Sequence, residues 1–216
     1  MSPVGLFGGT FNPVHLGHIS VADQVLRYFP LEKILFIPSY IPPHKNASGV
    51  APVEHRLRML EIACEGRPAF EISDIEARTP GPSYSVVTLE KLKKARPQEE
   101  FFFIAGADAF IEIETWKDYR RLLQECSFIV VTRPGFGIKS IERVVERITP
   151  GKYFVAGENA PVKKAELTAG GVFVLEVETP DISSTIIRER IKAGQSISGL
   201  VPPAVEKYIE ENKLYR

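Results

Sequence analysis

The stretch from Val4 to Ile19, VGLFGGTFNPVHLGHI, constrains the fold more than any other part of the chain. It begins with an apolar run that is typical of a short buried strand, which Gly8 and Gly9 then end. Apolar residues next recur at helical spacing, at Leu16, Ile19, Ala22, Leu26 and Phe29. The order of strand, glycine turn and helix is that of a phosphate-binding unit.

The turn suits a phosphate for a physical reason. Glycine lets the backbone come close to a ligand, and the first amides of a helix are unpaired donors at the positive end of its dipole. His15 and His18 are three residues apart, so in a first helical turn both would lie on one side, with Gly17 leaving room for an oxygen-rich ligand. Neither a Walker ending nor a Gly-x-Gly-x-x-Gly frame is present, which excludes those two phosphate motifs.

Composition limits the class of protein. The chain has 216 residues, 44% of them hydrophobic and 25% charged, as in an ordinary globular protein with an α/β core. The 27 basic residues balance the 27 acidic ones, so we expect no nucleic-acid polymer and no membrane as a partner. Cys64 and Cys126 lie far apart, and no leader or long apolar span is visible. We expect core thiols in a reduced, cytoplasmic setting, with a disulfide as the alternative.

The rest of the chain alternates strands with helices. The strands predicted after the first are Lys33–Pro38, Ala69–Ile72, Glu100–Ala105, Ser127–Thr132, Tyr153–Ala156 and Gly171–Val177. The helices predicted after the first are Val53–Cys64, one that begins after residues 80–85, Ile138–Ile148, Ser183–Ala193 and Pro203–Asn212. With no repeat or linker, we expect a single domain over residues 1–216. Its α/β fold would be a doubly wound, mainly parallel sheet with helices on both faces.

Two groups of residues follow from this topology. Ligands bind outside the carboxyl ends of parallel strands, so Gly8, Gly106 and Arg133 should face one crevice, with Asp108 and Arg133 as site candidates. The second group lies in DISSTIIR, residues 181–188, where Ser183 or Ser184 can cap a helix. Arg188 shares a helix face with Ser184 and Thr185, which predicts a second phosphate cradle.

Both motifs match a known superfamily. The HLGH of residues 15–18, preceded by GGTFNP, resembles the H-x-G-H signature of the adenylyltransferases and cytidylyltransferases, and ISSTIIR resembles their I-S-S-T-x-x-R motif. Within that superfamily the chain is most similar to the nicotinate-nucleotide adenylyltransferases. The other matching segments are PPHK at 42–45, SYS at 83–85, GAD at 106–108, Trp116 and TRPG at 132–135. Two features depart from the pattern: Ser85, where threonine is usual, and residues 151–171, which are longer than in compact members.

The resemblance implies a Rossmann-like nucleotidyltransferase fold and a reaction between two nucleotides. The 5′-phosphate of nicotinate mononucleotide would attack the α-phosphorus of ATP, releasing pyrophosphate and forming nicotinate adenine dinucleotide without a covalent enzyme intermediate. Such chemistry depends on positioning and charge stabilisation. The sequence has no evident carboxylate cage, so we expect Mg²⁺ to arrive with ATP. Whether the chain forms a homo-oligomer stays open.

The resemblance also implies a role for each site residue. His15, His18 and Arg188 form the catalytic set, with the two histidines at the bridging and α-phosphates, whose charge would favour protonated imidazoles. The expected ATP and phosphate contacts are Gly8, Gly9, Thr10, Phe11, Ser184 and Thr185. The expected nicotinate mononucleotide contacts are Lys45, Tyr84, Ser85, Asp108, Trp116 and Arg133.

Within the second set, Lys45 and Arg133 would clamp the attacking phosphate and Asp108 would contact ribose hydroxyls. Trp116 would stack on the pyridine ring, with backbone groups near Tyr84 and Ser85 meeting the carboxylate.

Several alternatives stay open at this point. Trp116 is also typical of a hydrophobic core, Lys45 of a surface loop and Asp108 of a turn cap. The chain could be another nucleotidyltransferase, such as a phosphopantetheine adenylyltransferase or a cytidylyltransferase, or a nucleotide-binding module without turnover. The length of the loop from Ser39 to Pro52 predicts a mobile lid.

Overall fold

A computed structural model of the chain describes residues 1–40, 49–79, 81–132, 138–156, 162–163 and 170–216. Its centre is a seven-stranded sheet in the order β3-β2-β1-β4-β5-β7-β6, in which every neighbouring pair is parallel. The strands are β1 Ser2–Gly9, β2 Lys33–Pro38, β3 Phe70–Ile72, β4 Glu99–Gly106, β5 Ser127–Thr132, β6 Tyr153–Ala156 and β7 Val172–Glu176. The predicted doubly wound α/β sheet is confirmed, and it is wholly parallel.

Helices cover both faces of this sheet. They are α1 Leu16–Tyr28, α2 Val53–Cys64, α3 Ser85–Ala95, α4 Ala107–Ile111, α5 Tyr119–Glu125, α6 Ile138–Ile148, α7 Ser184–Lys192 and α8 Pro203–Glu211. One hydrophobic cluster joins the sheet to α1, α2, α7 and α8, and a second joins its other face to α3, α4, α5 and α6. No helix among these residues is both long and apolar enough to cross a membrane.

The apolar run of β4 shows why a continuous hydrophobic strand belongs at the centre. Phe102 and Ile104 are buried in the first cluster, whereas Phe101 and Phe103 are buried in the second. Successive side chains of a strand point to opposite faces, so a strand covered on both sides needs apolar residues at every position. β4 lies at the centre of the sheet and pairs with β1, with Phe7 opposite Ile104 in the register.

The order of the strands positions a crevice. From β1 the chain winds outward to β2 and β3, and it then returns to place β4 on the other side of β1. The carboxyl ends of β1 and β4 are therefore neighbours at the point where the winding direction reverses, which is where open parallel sheets bind ligands. Gly8 and Gly106 lie there as predicted, whereas Arg133 lies outside the described residues.

The helix bounds differ from the predictions in two informative places. Helices α4 and α5 have five and seven residues, too short for a helical period to show in the sequence. Helix α7 begins at Ser184, because the Ser183 hydroxyl accepts a 3.2 Å hydrogen bond from the amide of Ile186 and so caps it. Of the two serines proposed as the cap, Ser183 is thus the one that serves.

The two cysteines are core thiols, as predicted. Cys64 lies in the first hydrophobic cluster and Cys126 in the second, on opposite faces of the sheet, and both are free. Burial raises the pKa of the Cys64 thiol to about 11 and that of Cys126 to about 12. At neutral pH neither thiol supplies the thiolate that nucleophilic catalysis needs.

A charged cluster joins β2, β3 and β4 and predicts a pH dependence of stability. The Lys33 ammonium lies 2.8 Å from Glu71 and 2.8 Å from Glu99, and Arg96 donates to Glu71 at 2.6 Å. The hydrogen bond from Arg96, followed by that from Lys33, holds the pKa of Glu71 below its usual value. A carboxylate with a lowered folded pKa stabilises the fold above its unfolded pKa, and that contribution is lost as pH falls through the folded pKa.

We therefore expect Glu71→Gln to lower the free energy of unfolding at pH 7 by about 1 kcal/mol or less, because the cluster is partly exposed. The difference from the unmodified chain should shrink as pH falls below the unfolded pKa of about 4.3, and it should vanish only below the lower folded pKa, where Glu71 is protonated in both states. Urea unfolding at pH 7 and at a pH below the folded pKa of Glu71 measures this difference in the free energy of unfolding. Glu61→Gln, which removes the carboxylate of an exposed ion pair, is the control. An effect of Glu71→Gln that is the same at both pH values would contradict this account.

Candidate active site

A cleft of about 150 Å³ opens at the carboxyl ends of β1 and β4. Four of the predicted site residues line it together: Gly8, His15, His18 and Asp108. The remaining lining residues are Phe7, Gly17, Val21, Ile104, Ala105, Gly106, Val131, Thr179, Pro180 and Ile182. Most of the lining residues are thus apolar, and the polar side chains are His15 and His18 at the start of α1, Asp108 in α4 and Thr179 between β7 and α7.

The two histidines lie side by side at the start of α1. We expected His15 in the first turn of the helix. In the structure it is the residue before the helix, with extended backbone at φ −144°. The two ring centroids are nevertheless 3.7 Å apart, so both imidazoles lie on one side. The His15 amide donates to Nδ1 of His18 at 3.2 Å. An imidazole that accepts at Nδ1 carries its proton on Nε2, which makes Nε2 of His18 a donor.

The absence of a side chain has a different consequence at Gly17 and at Gly8. A Cβ atom on Gly17 would lie 3.0 Å from Nδ1 of His15 and 3.7 Å from the carbonyl oxygen of Ile182. The space beside Gly17 is therefore taken up by the His15 ring, and the expectation that it leaves room for a ligand is wrong. A Cβ atom on Gly8 would meet nothing within 4 Å, so Gly8 opens onto the cleft.

Replacement of Gly17 by alanine is accordingly expected to shift the His15 ring by a few tenths of an ångström while leaving the helix intact. We expect kcat to fall roughly tenfold, since small displacements of a positioned group are costly in transfer reactions. Steady-state assay together with thermal unfolding measures this, and Ser20→Ala, one turn further along α1, is the control. Unchanged kcat in Gly17→Ala would show that the placement of His15 does not matter.

Phe11 lies beneath the cleft. Its ring is buried, with its centroid 5.0 Å from that of His18 and 5.7 Å from that of Phe7. A Cβ atom on Gly9 would lie 3.1 Å from this ring, so the side chain also supports the glycine turn. A contact of Phe11 with ATP would therefore have to use its backbone.

The second motif is bound directly to the first. Arg188 donates from Nη1 to the carbonyl oxygen of Asn12 at 2.9 Å, and the Ser184 hydroxyl donates to the carbonyl oxygen of Pro13 at 2.9 Å. A second nitrogen of Arg188 lies 3.3 Å from Oγ1 of Thr185. The start of α7 thus lies on the GGTFNP loop. Two segments far apart in the sequence are thus joined by hydrogen bonds, although Ser184, Thr185 and Arg188 are not among the residues that line the cleft.

The residues predicted for the second substrate are more dispersed. Lys45 and Arg133 lie outside the described residues. Tyr84 is 37% exposed, with the Lys117 ammonium 4.7 Å from its ring centroid, and Ser85 begins α3. Neither of these two lines the cleft formed by the described residues.

Trp116 does not line that cleft either. It is half-buried, and its ring contacts Phe128 edge-on at 6.3 Å as part of the second hydrophobic cluster. Asp108, in contrast, is exposed at the cleft, and its carboxylate lies so close to Gly106 that a side chain there would overlap it.

Two residues near the cleft were missed in the sequence. Asn12 donates to the carbonyl oxygen of Gly49 at 2.9 Å and accepts from the amide of Ala51 at 2.9 Å. Arg56 is only 1% exposed, although arginine side chains are usually exposed. The signal for Arg56 was present: it lies three, four and seven residues before Met59, Leu60 and Ala63, which are all buried on the same helix face.

Comparison with known proteins gives matches over nearly the whole chain. The sequence model of the cytidylyltransferase-like family matches residues 6–190. A probable nicotinate-nucleotide adenylyltransferase of Geotalea uraniireducens is 39% identical over 212 residues, covering 98% of this chain and 97% of the relative. One of Desulfatibacillum aliphaticivorans is 41% identical over 225 residues, covering 98% and 99%.

Among solved structures, the fold resembles that of Plasmodium falciparum nicotinic acid mononucleotide adenylyltransferase complexed with NaAD. The TM-score is 0.76 at 19% identity, with 100% of this chain and 98% of the other covered. A complex of that enzyme with APC gives a TM-score of 0.74 at the same identity and coverage. At this level of identity the likeness concerns the fold.

Proposed function

Because the chain belongs to the cytidylyltransferase-like family and, within it, to the nicotinate-nucleotide adenylyltransferases, we propose that it transfers the adenylyl group of ATP to nicotinate mononucleotide. The products are nicotinate adenine dinucleotide and pyrophosphate, a step of NAD biosynthesis. The observation that carries the proposal is the contact between the two motifs, in which Arg188 and Ser184 bond to the loop that leads into the histidine pair. A triphosphate could then run from the histidines to the start of α7.

The transfer is an in-line displacement at the α-phosphorus of ATP. An oxygen of the 5′-phosphate of nicotinate mononucleotide forms the new bond to phosphorus, and the bond to the β-phosphate oxygen breaks with its electrons on pyrophosphate. Negative charge builds on the α-phosphate oxygens and on the leaving group. The chain needs donors at these oxygens and no nucleophile of its own, which agrees with its two buried, unreactive thiols.

Each donor group has a proposed place along this path. Nε2 of His18 and the ring of His15 face the α-phosphate, where donors aimed at developing charge accelerate transfer most. Gly8, Gly9 and Thr10 bring the backbone close to the same phosphate. Ser184, Thr185 and Arg188 hold the β- and γ-phosphates at the start of α7, whose first amides favour anions. Arg188 is suited to this because its planar guanidinium can bond two phosphate oxygens at once.

A divalent metal ion is expected with ATP, as is usual among nucleotidyltransferases. The described part of the chain contains no group of three or more histidine, cysteine or acidic residues that could hold a metal ion. Phosphate oxygens would therefore supply most of the ligands, and we propose Mg²⁺, which is commonly bound through substrate phosphates. When bound, it neutralises charge on the triphosphate.

The acceptor is proposed to lie on the side of Asp108, with that carboxylate accepting hydrogen bonds from ribose hydroxyls. We propose Lys45 and Arg133 as clamps on the attacking phosphate, and backbone groups near Tyr84 and Ser85 as donors to the nicotinate carboxylate. Trp116 would present its exposed part to the pyridine ring. Such donors would be left unpaired by an uncharged carboxamide, which predicts preference for nicotinate over nicotinamide mononucleotide.

Release of pyrophosphate in the presence of ATP and Mg²⁺ tests this proposal when each acceptor is supplied in turn. We expect rapid release with nicotinate mononucleotide and slower release with nicotinamide mononucleotide. Release with phosphopantetheine and none with nicotinate mononucleotide would assign the chain to another transferase. ATP binding without release for any acceptor would indicate a nucleotide-binding module.

A further inference from the structure

Arg56 is a buried cation beside the proposed ATP site. Its guanidinium donates to three carbonyl oxygens: from Nη1 to Thr10 at 2.8 Å, from Nε to Ala51 at 3.0 Å, and from Nη2 to Tyr40 at 3.1 Å. With 1% exposure it is among the largest fully buried side chains of the protein. Burial lowers its pKa, yet an arginine remains charged in any protein environment at neutral pH.

Burial of a charged guanidinium in a protein core costs free energy. A buried charge loses its hydration, and neutral carbonyl dipoles replace that hydration only in part. The same helix face carries Met59, Leu60 and Ala63, all apolar and buried, and an apolar residue at position 56 would complete that face. The three directed bonds of Arg56 therefore call for an explanation beyond packing.

The three carbonyls belong to three separate parts of the chain. Thr10 lies in the glycine turn proposed for the α-phosphate of ATP. Tyr40 and Ala51 flank the segment that contains Lys45, the proposed clamp on the attacking phosphate of the acceptor. Asn12, from the same turn, adds two further bonds to the second flank through Gly49 and Ala51. One guanidinium thus connects the backbone of the ATP loop to both flanks of the acceptor loop.

We propose that Arg56 is a positioning residue that holds the glycine turn in fixed register with the two flanks of residues 41–48, so that the binding of both substrates depends on it. The inference rests on the proposed function for the identity of the acceptor. Arg56 touches neither substrate and acts through the Thr10, Tyr40 and Ala51 carbonyls. Lysine, the other long cationic side chain, does not form the same three bonds, because it has one nitrogen and no planar fork.

The test compares Arg56→Lys with the control variant Arg58→Met. Arg58 lies two residues further along α2, is exposed, and pairs only with Glu61 at 2.8 Å in the described structure, so its replacement removes a cation from the same helix without touching the loops. For each variant, calorimetry gives the Kd of a non-hydrolysable ATP analogue and, separately, of nicotinate mononucleotide. Steady-state assays give KM and kcat, and thermal unfolding gives the folded fraction.

We expect Arg56→Lys to fold and to bind both ligands about tenfold more weakly, the scale on which loss of a charge-assisted hydrogen bond acts. Both KM values should rise together, with kcat changed less, and Arg58→Met should match the unmodified chain. A merely structural role would lower thermal stability and leave the Kd values of the folded protein unchanged, which would overturn the inference.

Two further outcomes would also overturn it: weaker binding of one ligand alone, or failure of Arg56→Lys to fold, since a residue that only positions loops at the cleft leaves the sheet intact. Failure of the proposed function is distinguishable from these outcomes. In that case the unmodified chain would not turn over nicotinate mononucleotide, while the Kd of the ATP analogue would still report on Arg56.

Discussion

Replacement of His18 by alanine is expected to lower kcat by about a thousandfold, the upper range for loss of one donor aimed at developing charge. The reason is that Nε2 of His18 is a donor at the proposed α-phosphate position. It carries the proton because Nδ1 accepts a hydrogen bond from the His15 amide. The fold should survive, because the His18 ring is half-buried at the edge of the cleft. Steady-state kinetics with saturating ATP and nicotinate mononucleotide measures the effect.

His55→Ala is the matched control for this experiment. His55 lies on α2, and its ring contacts the hydroxyl of Tyr208 at 2.9 Å and does not line the cleft. We expect kcat of this variant within about twofold of the unmodified chain, because surface changes away from a site have small effects. If His18→Ala kept its full kcat while ATP still bound, the role assigned to His18 would be wrong.

Replacement of Arg188 by alanine is expected to lower kcat/KM for ATP by about a hundredfold or more, since charge-assisted contacts to phosphate are the strong ones. Two losses combine here. The β- and γ-phosphates lose a cation, and the carbonyl oxygen of Asn12 loses its 2.9 Å bond to the guanidinium. Arg188→Lys should recover only part of the loss, because an ammonium cannot reach the loop and the phosphates in the same fork geometry.

Arg190→Ala provides the control on the same helix. Arg190 is exposed, and it donates to the carbonyl oxygen of Ser196 at 3.2 Å, away from the glycine turn. Its loss should leave kcat/KM unchanged within about twofold. Measurement of KM for ATP and of product inhibition by pyrophosphate completes the experiment. If both constants were unaffected in Arg188→Ala, the second motif would have no part in binding the triphosphate.

Much of the fold could be predicted because its signals are local. The all-apolar runs of β4 and β5 are what a strand buried on both faces requires, and their ends were predicted to within one residue. Helix α2 was predicted over Val53–Cys64, as observed. The short helices α4 and α5 were not predicted, because five and seven residues carry too little periodicity.

The site was predicted less completely, because its contacts join distant parts of the chain. The motifs made His15, His18 and Arg188 site candidates, yet the bond from Arg188 to the Asn12 carbonyl is a backbone contact that no residue pattern specifies. Arg56 was missed for a related reason. Its inward position conflicts with the usual exposure of arginine, and only its three carbonyl partners explain it.

Gly17 shows how a correct motif can carry a wrong physical reason. The spacing of the two histidines suggested that its missing side chain leaves room for a phosphate. In the structure the His15 ring occupies that space, because His15 precedes the helix and folds back against its first turn. The missing side chain of Gly17 therefore serves the placement of His15, whereas the Cβ position of Gly8 meets no atom within 4 Å and opens onto the cleft.

The central claim is that one triphosphate site is built from both motifs. A crystal structure of the protein with an ATP analogue whose α,β-bridging oxygen is replaced by a methylene group tests it most directly. The account predicts α-phosphate oxygens within about 3.2 Å of Nε2 of His18, with the β- and γ-phosphates bonded to Arg188 and the first amides of α7. A triphosphate that lies outside the cleft between these two motifs, with His18 and Arg188 both out of contact, would contradict it.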